Sequence, residues 1–339
     1  GARNRLTAGP RAPGTGPADR RRVDGVSDLA RALRAAGVAD VQDSVLRRSL
    51  YATDASLYRV QPQAVVVPAG PDDVLAALAV CRDRAVPLTM RGAGTSIAGN
   101  AVGPGVVVDV SRHLNRILAV DPEAGTALVE PGVVQADLQR AVAASGWRFG
   151  PDPSTHNRCT VGGMLGNNAC GSRSVRWGTT AENTLGLEVI MAGGSRWRTG
   201  ALGPALDTAI ARLLSTHGDT IRRELPPWPR RVSGYALDWL LPERGSDVAR
   251  ALVGSEGTCA VVSEATLRLV RPPHERGLLV LAFADDIAAA AVVPALLPEH
   301  PFTVESLTSE LLTGRRDPGL LPPGGAWLLV EVGGETAAE

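Results

Sequence analysis

The chain has 339 residues with 35 basic and 35 acidic side chains, so its formal net charge is zero. This balance excludes a nucleic-acid binder that depends on a basic field, and no run of about 20 uninterrupted apolar residues predicts a membrane span. All the basic residues are arginine, which excludes Schiff-base chemistry on a chain lysine, and the length predicts two domains.

The first part of the chain divides into a tail and a helical lead-in. Residues 1–22 are rich in Pro, Gly, Ala and Arg, a composition that predicts a disordered tail. Residues 23–61 form the lead-in, with helical spacing over Val26–Ala36 and a stop at Gly37.

A β-α-β unit comes next and leads into a glycine-rich loop. Ala64–Val67 predicts a short buried strand, and Pro71 with two following aspartates predicts the start of a helix. Pro87–Met90 predicts a second strand that runs into the loop Arg91–Asn100. Since α/β sheets usually bind ligands at strand ends, this order places the loop where a phosphate can bind.

The loop Arg91–Asn100 has the composition of a phosphate site. Glycine allows positive φ and leaves no Cβ in the way, so the backbone N–H groups can surround a phosphate, with hydroxyls from Thr95 and Ser96 and charge from Arg91. Ile97 stands where a Rossmann fingerprint needs glycine, and the lysine of a Walker loop is missing. Taken alone, the loop is equally consistent with a plain tight turn.

A second α/β unit is predicted beyond this loop. Its elements are a strand at Val106–Val110, a hairpin of Ile117–Val120 with Thr126–Glu130, a helix at Gln135–Ala144, and a hairpin of Leu185–Met191 with Arg196–Thr199. Two α/β units of this kind can enclose a flat ligand between them.

A second glycine-rich segment, Gly150–Asn183, lies inside this unit. Glycine in an ordered element costs roughly 0.5–1 kcal/mol per residue, and close backbone approach to a large flat ligand would explain that cost. A glycine-rich surface loop is the alternative. A third short piece, Leu252–Thr258, lies between a helical pattern and the apolar run Ala260–Val262.

Five motifs occur in a fixed order that resembles a known family. They are Arg91–Ser96, Pro131-Gly132, Pro151–Thr155, Thr160–Gly163 with Gly166-Asn167-Asn168, and Gly254–Thr258. Together they resemble the FAD-binding domain of the vanillyl-alcohol oxidase/PCMH superfamily, and within it the FAD-linked D-2-hydroxyacid dehydrogenases. The runs Ser154–Thr160 and Asn168–Ser174 are similar to the large bacterial branch with a fused iron–sulfur part, which includes D-2-hydroxyglutarate and D-lactate dehydrogenases.

The resemblance, which covers about residues 47–339, implies an α+β fold. Residues 62–272 would form a PCMH-type FAD-binding domain of two α/β subdomains. Residues 273–339 would form the first half of an α+β, ferredoxin-like cap domain over the substrate. Its predicted elements are strands at Leu278–Phe283, Phe302–Glu305 and Trp327–Val332, with a helix at Asp285–Leu297. On this reading the chain is an N-terminal fragment of a longer enzyme, or it needs a second chain.

The resemblance also implies the FAD contacts. They are Arg91, Gly92, Ala93, Gly94, Thr95, Ser96, Gly99 and Asn100 at the pyrophosphate; Pro131 and Gly132 on the adenosine side; Pro151, Asp152, Pro153, Ser154, Thr155, Val161, Gly162, Gly163 and Gly166 along the ribityl chain and ring; Asn167, Asn168 and Gly171 beside them; and Glu256, Gly257 and Val262 over the nucleotide. Thr95 occupies the place of a histidine that binds FAD covalently in some relatives, so non-covalent FAD is implied.

The implied reaction moves a hydride from the Cα of a D-2-hydroxy acid to the flavin, with electrons passing to an iron–sulfur partner or domain outside this chain. Arg231 would hold the substrate carboxylate and Tyr235 would hydrogen-bond the substrate oxygen. The alternative is that Arg231 pairs with a local acid and Tyr235 packs between subdomains.

Two other functions stay open: a non-catalytic FAD-binding subunit of a glycolate-oxidase-like complex, and a nucleotide-binding module without redox activity.

The cysteines and histidines predict no metal site. The four cysteines lack Cys-x-x-Cys spacing, and none of the five histidines has metal-ligand spacing. An iron–sulfur cluster is therefore expected only in a missing downstream part. Scattered thiols without a signal peptide predict a cytoplasmic protein, peripheral to the inner membrane at most through an electron-transfer partner.

Overall fold

The structure is a computed structural model that describes residues 27–201, 203–228, 230–232, 234–312 and 319–336. The predicted disordered tail, residues 1–22, lies outside these ranges. Among the described residues, no helix combines the length and the apolar character needed to cross a membrane.

The first unit is a four-stranded sheet with helices. Its strands are β1 (Val41–Gln42), β2 (Ala64–Val66), β3 (Leu88–Arg91) and β4 (Val106–Asp109), and its helices are α1 (Asp28–Ala35), α2 (Val45–Leu50) and α3 (Pro71–Asp83). The strand order is β1-β2-β4-β3, with β2, β3 and β4 parallel and β1 antiparallel. The hydroxyl of Ser27 caps α1 by accepting from the Ala30 N–H. The predicted β-α-β order is confirmed.

The second unit is a six-stranded antiparallel sheet. Its strands are β5 (Ile117–Asp121), β6 (Thr126–Val129), β7 (Arg148–Phe149), β8 (Thr184–Met191), β9 (Arg196–Arg198) and β10 (Ala260–Val270), and its helices are α4 (Gln135–Ala143), α5 (Val161–Asn167), α6 (Ser174–Trp177), α7 (Pro204–Glu224) and α8 (Val248–Leu252). The order is β5-β6-β10-β8-β9, and β7 pairs with the end of β10. Both predicted hairpins are confirmed, and β10 lies between them as the central strand.

Helix α5 lies in the second glycine-rich segment, where the sequence predicted close backbone approach to a flat ligand, with a surface loop as the alternative, and indicated no helix. The hydroxyl of Thr160 caps the helix by accepting from the Gly163 N–H at 3.2 Å. Val161, Met164 and Leu165 are fully buried on one side. This cap and this buried face stabilise a helix that its glycines disfavour.

The third unit is a three-stranded antiparallel sheet covered by one helix. Its strands are β11 (Glu275–Phe283), β12 (Thr303–Thr308) and β13 (Ala326–Gly334), in the order β11-β13-β12, and its helix is α9 (Asp286–Leu296). The predicted strand-helix-strand-strand order is confirmed. The boundaries assigned to the FAD-binding and cap domains stay predictions.

The two faces of the third sheet differ. Ala326, Leu328 and Val330 of β13 are buried together with Ala289 of α9 in one small core. Side chains alternate along a strand, so Trp327, Leu329 and Glu331 lie on the opposite face. Glu331 on that face bonds Arg173 of the second unit, so this face is the one turned toward the second unit.

The first and second units share part of their packing. Ile190 of β8 and Val261 of β10 are buried in the same core as Val66 of β2 and Val106 of β4. A separate core lies on the other side of the second sheet, around Leu138 and Phe149. This shared packing fixes the spacing between the two units, and the main cleft lies there.

Candidate functional site

A cleft of about 560 Å³ lies between the first and second units. Its walls come from residues 90–101, 153–170 and 252–262, with a few contacts from other segments. Small-molecule and cofactor pockets usually range from about 300 to 1,000 Å³, so the volume fits a large organic ligand.

The loop that follows β3 lines this cleft, and its backbone N–H groups lack acceptors within the described part of the chain. None of the N–H groups from Gly92 through Ile97 donates a hydrogen bond to another of the described residues. The Ser96 hydroxyl donates to Asn100 Oδ1 at 2.8 Å, while Asn100 Nδ2 is buried without a partner in the described part of the chain. Backbone donors left free in a concave loop are the groups that bind phosphate oxygens.

The Arg91 side chain packs against this loop and holds it through hydrogen bonds to neighbouring carbonyls. Its Nη1 donates to the carbonyls of Thr53 at 2.9 Å and Ala101 at 3.0 Å, and its guanidinium lies 5.2 Å from the centre of the Tyr51 ring. Gly94 has φ +69°, and a Cβ there would collide with the Arg91 guanidinium. Arg91 therefore shapes the loop through neutral partners, and its contact with a phosphate stays a prediction.

The glycines of the two segments allow their backbones to meet. A Cβ on Gly92 would overlap the Thr160 hydroxyl, and a Cβ on Gly162 would lie 2.7 Å from Pro131 Cβ. Gly166 is different, because its Cβ position faces open space with no atom within 4 Å, and the residue lines the cleft. The two segments thus pack tightly on each other and leave one open backbone surface, as a flat cofactor such as FAD requires.

The third loop closes the far end of α5. The N–H groups of Gly254 and Glu256 donate to the carbonyls of Leu165 at 2.8 Å and Gly166 at 2.9 Å. Glu256 has φ +55° and Gly257 has φ +72°. The loop therefore satisfies the C-terminal carbonyls of the helix and forms one rim of the cleft.

Most of the predicted FAD residues line the cleft together. They are Arg91, Gly92, Ala93, Gly94, Thr95, Ser96, Asn100, Pro131, Pro153, Thr155, Gly162, Gly163, Gly166, Asn167, Asn168, Glu256, Gly257 and Val262. Thr160 and Ser255 also line the cleft; both stand inside the motifs, although no FAD contact was predicted for them. Lining residues outside the five motifs include Ile97, Cys159, Cys170 and Val232, and their nearness in sequence to predicted residues was the one signal available for them.

The other predicted FAD residues lie behind the lining: Gly99, Gly132, Pro151, Asp152, Ser154, Val161 and Gly171. A Cβ on Gly99 would lie 2.6 Å from the Tyr58 ring, and one on Gly132 would overlap the Val110 carbonyl. Val161 is fully buried in the core of the second unit. The structure gives these residues packing contacts, and their contact with FAD stays a prediction.

The two predicted catalytic residues have protein partners outside the cleft lining. Arg231 forms an ion pair with Asp238, which is 5% exposed and lies 3.6 Å from an Arg244 nitrogen. The Tyr235 hydroxyl is 2.8 Å from the hydroxyl of Thr258. The structure shows the local acid of the alternative reading for Arg231, and the catalytic roles of both residues stay predictions.

A charged cluster joins the cleft wall to the third sheet. Arg173 Nη1 lies 3.0 Å from Asp152 Oδ2, and its Nη2 lies 3.3 Å from Glu331 Oε2. Arg148 lies 3.5 Å from the same aspartate, and Arg276 lies 3.6 Å from the same glutamate. Burial lowers the pKa of Arg148, and the like charge of Arg173 adds to this. We call these five residues the junction cluster.

Aromatic rings surround the junction cluster. Trp177 of α6 and Phe302, just before β12, meet edge to face with ring centres 5.3 Å apart. The Arg148 guanidinium lies 5.0 Å from the centre of the Trp177 ring. These contacts hold the third unit against the part of the second unit that borders the cleft.

The cysteines carry no disulfide and no metal group. All four are free, and burial raises the pKa of Cys81 to about 11 and raises the pKa of Cys159. Cys170, at the cleft, accepts a hydrogen bond from Arg230 Nη2 at 2.8 Å. Within the described ranges, no group of three or more His, Cys, Asp or Glu side chains is placed to hold a metal ion.

Comparison with known proteins identifies relatives for most of the chain. Residues 62–200 match the family described as FAD binding domain. The chain is 33% identical over 297 residues to D-2-hydroxyglutarate dehydrogenase of Escherichia coli (strain K12), covering 82% of this chain and 29% of that protein. It is 32% identical over 276 residues to glycolate oxidase subunit GlcD of Bacillus subtilis (strain 168), and this match covers 78% of this chain and 51% of that protein.

A solved structure of alkyldihydroxyacetonephosphate synthase has the same fold. The match has a TM-score of 0.67 with 17% identity, and it covers 93% of this chain and 57% of that one. The chain therefore spans from under a third to about half the length of the two curated relatives, while most of its own length is matched.

Proposed function

The chain carries an FAD-binding domain of the PCMH type, and from this premise we propose that it is the flavin-binding part of a dehydrogenase that oxidises a D-2-hydroxy acid to the 2-oxo acid. The substrate class is 2-hydroxyglutarate, lactate or glycolate. Relatives named D-2-hydroxyglutarate dehydrogenase and glycolate oxidase subunit support this class.

One observation carries the proposal: the backbone N–H groups from Gly92 through Ile97, which donate to none of the described residues, line the same cleft as the open Gly166 backbone surface. The first feature fits a pyrophosphate and the second fits the flat part of a flavin. Both belong to a single cleft of suitable volume.

The chemistry that FAD supplies when bound is acceptance of a hydride from the substrate carbon. The residues of this chain would hold the cofactor and exclude water. The loop Gly92–Ile97 would donate to the pyrophosphate, α5 would lie along the flat ligand, and Glu256 and Gly257 would cover the nucleotide. Thr95 has no imidazole to form a covalent bond, so acid precipitation should release the yellow cofactor into the supernatant.

The electron acceptor in this proposal is an iron–sulfur partner or domain outside the chain. The relatives extend well beyond the matched region, which leaves room for such a part. The four free cysteines support a reducing compartment, and the proposed location is the cytoplasm.

A visible spectrum of the purified chain tests the proposal, before and after anaerobic addition of D-2-hydroxyglutarate. Yellow protein that bleaches supports both the cofactor and the reaction. Colourless protein that FAD cannot reconstitute would overturn the proposal.

Two variants at one glycine sharpen this test. Gly166→Leu should weaken FAD binding by about tenfold or more, because the new side chain fills the open surface and overpacking costs about 1–3 kcal/mol. Gly166→Ala is the matched control, since alanine also suits a helix and adds one methyl group. Equal FAD affinity in both variants, with unchanged circular dichroism, would contradict a flavin on this surface.

A non-catalytic FAD-binding subunit is the second candidate. The pairing of Arg231 with the buried Asp238 favours it, because this arginine already holds a carboxylate of the protein, although its Nη1 is buried without a hydrogen-bond partner among the described residues. Yellow protein that stays oxidised with D-2-hydroxyglutarate, D-lactate and glycolate would support this candidate over the dehydrogenase.

A further inference from the structure

We propose that the arginines of the junction cluster form the subsite that receives a carboxylate of the hydroxy acid. This inference rests on the proposed function and names the part of the chain that recognises the substrate anion. The sequence motifs pointed to Arg231 for this role, and the structure points to Arg148, Arg173 and Arg276 instead.

The charge balance of the junction cluster favours an anion. Three guanidinium groups share two carboxylates, those of Asp152 and Glu331, so the group carries one excess positive charge. Apart from Arg276, the side chains of these residues are between 17% and 22% exposed. A charge that is largely removed from water is costly unless it is paired, and one added carboxylate would balance this group.

One nitrogen in the cluster has no partner. Arg148 Nε is buried and makes no hydrogen bond to the described residues. The depressed pKa of Arg148, which follows from burial and then from the charge of Arg173, shows that the surroundings disfavour its positive charge. A carboxylate oxygen would accept from this nitrogen and relieve the repulsion.

The position of the cluster suits a substrate that lies over a flavin. Asp152 directly precedes Pro153, and Arg173 follows Cys170 by three residues; both Pro153 and Cys170 line the cleft. A Cβ on Gly171 would overlap the Asp152 carbonyl, so the two backbone segments touch there. None of the five cluster residues lines the cleft, so the cluster lies directly behind the cleft wall.

The other side of the cluster belongs to the third sheet. Glu331 of β13 lies on the sheet face that is turned toward the second unit. Arg276 of the neighbouring strand β11 is paired with Gly333, two residues after Glu331, and so lies next to Glu331 on the same face. Arg276 is 55% exposed, so one side of the cluster is open to solvent. A small anion can reach the cluster from that side.

The cluster around Arg231 is less suitable, although it also has more arginine than carboxylate and although Arg231 Nη1, like Arg148 Nε, is buried without a hydrogen-bond partner in the described part of the chain. Arg231, Asp238 and Arg244 come from one short segment, and no ion pair or hydrogen bond connects them to the third sheet in the described part of the chain. A substrate held between the cleft and the third sheet would therefore meet the junction cluster.

The test uses the FAD-loaded chain and two carboxylates that cannot be oxidised as hydroxy acids, sodium butyrate and sodium glutarate, measured by isothermal titration calorimetry. We expect saturable binding that Arg148→Gln weakens by about tenfold, the loss expected for a charge-assisted hydrogen bond. Arg276→Gln, at an exposed position, should weaken binding about threefold and serves if the first variant does not fold.

Arg244→Gln is the matched control. Arg244 also lies over a tryptophan, 5.2 Å from the centre of the Trp239 ring, and 3.6 Å from an aspartate oxygen. Binding that depends on Arg148 and Arg276 but not on Arg244 supports the subsite. No saturable binding, or equal loss in all three variants, would overturn it.

The two carboxylates identify which group of the substrate is held. Arg148-dependent binding of both compounds supports a subsite for a single carboxylate group. Arg148-dependent binding of glutarate alone supports recognition of a dicarboxylate. If D-2-hydroxyglutarate bleaches the wild-type flavin while carboxylate binding is insensitive to Arg148, the subsite is wrong and the proposed function stands. If no hydroxy acid bleaches the flavin while Arg148-dependent binding persists, the carboxylate subsite stands and the non-catalytic FAD-binding subunit is favoured over the dehydrogenase.

Discussion

Asp238 and Asp152 are each held by two arginines, yet the two aspartates differ in burial and the two groups differ in reach. Asp238 is almost fully buried, and both of its arginines come from the same short segment. The Asp152 side chain is 22% exposed, and one of its arginines also pairs with Glu331 of the third sheet. We call Arg231, Asp238 and Arg244 the inner cluster, to set it beside the junction cluster.

The comparison shows that residue type alone does not assign a role to an arginine. A fully buried carboxylate must keep its partners, because an unpaired charge in a protein interior costs several kcal/mol. A partly exposed carboxylate such as Asp152 shares its partners with water, so a ligand can compete for them at a lower cost. We therefore assign the inner cluster to stability and the junction cluster to recognition.

The largest expected effect is a loss of folding stability when the inner cluster is broken. Asp238→Asn should lower the free energy of unfolding by about 3 kcal/mol, since it leaves Arg231 without a carboxylate in a buried site. Urea denaturation measures this. Asp137→Asn is the control, because the exposed pair of Asp137 with Arg140 is worth well under about 1 kcal/mol. Similar small losses in both variants would remove the distinction between the clusters.

The next effect follows from removing a carboxylate of the junction cluster, which should lower stability but raise the affinity for a carboxylate ligand. Asp152→Asn should cost about 1 kcal/mol of stability and should strengthen glutarate or butyrate binding about fivefold, because the excess positive charge grows. Calorimetry on the FAD-loaded chain measures the affinity. Weaker carboxylate binding in this variant would show that Asp152 does not compete with the ligand.

The smallest effect is the response to salt. Raising NaCl from 0.1 M to 1 M shortens the Debye length from about 10 Å to about 3 Å, which should weaken carboxylate binding at the junction cluster, whose Arg276 is open to solvent. The stability difference between wild type and Asp238→Asn should change by less than about 0.5 kcal/mol over the same range, because the buried pair is screened little. If salt changed the carboxylate affinity and the Asp238→Asn stability difference equally, the proposed difference in burial between Asp152 and Asp238 would be contradicted.

Much of the fold could be predicted from the sequence, because its elements are marked locally. Turn residues between apolar runs indicated both hairpins of the second sheet, and Pro71 with its aspartates indicated α3. Helix α5 was missed because Gly162 and Gly163 disfavour a helix, whereas the Thr160 cap and the buried side of the helix stabilise it. Burial is a property of the whole fold, so no local pattern could show it.

The site was predicted in part for the same reason. The glycine-rich loops lie within single stretches of sequence, and the structure brings them together around one cleft. The partners of the arginines could not be predicted, since Arg173 and Glu331 are 158 residues apart in the sequence. The pairing of Arg231 with Asp238, only seven residues away, was one of two alternatives that the sequence left open.

The central place of β10 also sets the order in which the protein can assemble. This strand pairs with β6 on one side and β8 on the other, although it follows both in the chain. During synthesis, each hairpin must therefore keep an unpaired edge until Ala260–Val270 has left the ribosome. The region that matches the FAD binding domain family ends at residue 200, before that strand. A piece cut to that region would have two hairpins and no strand to join them.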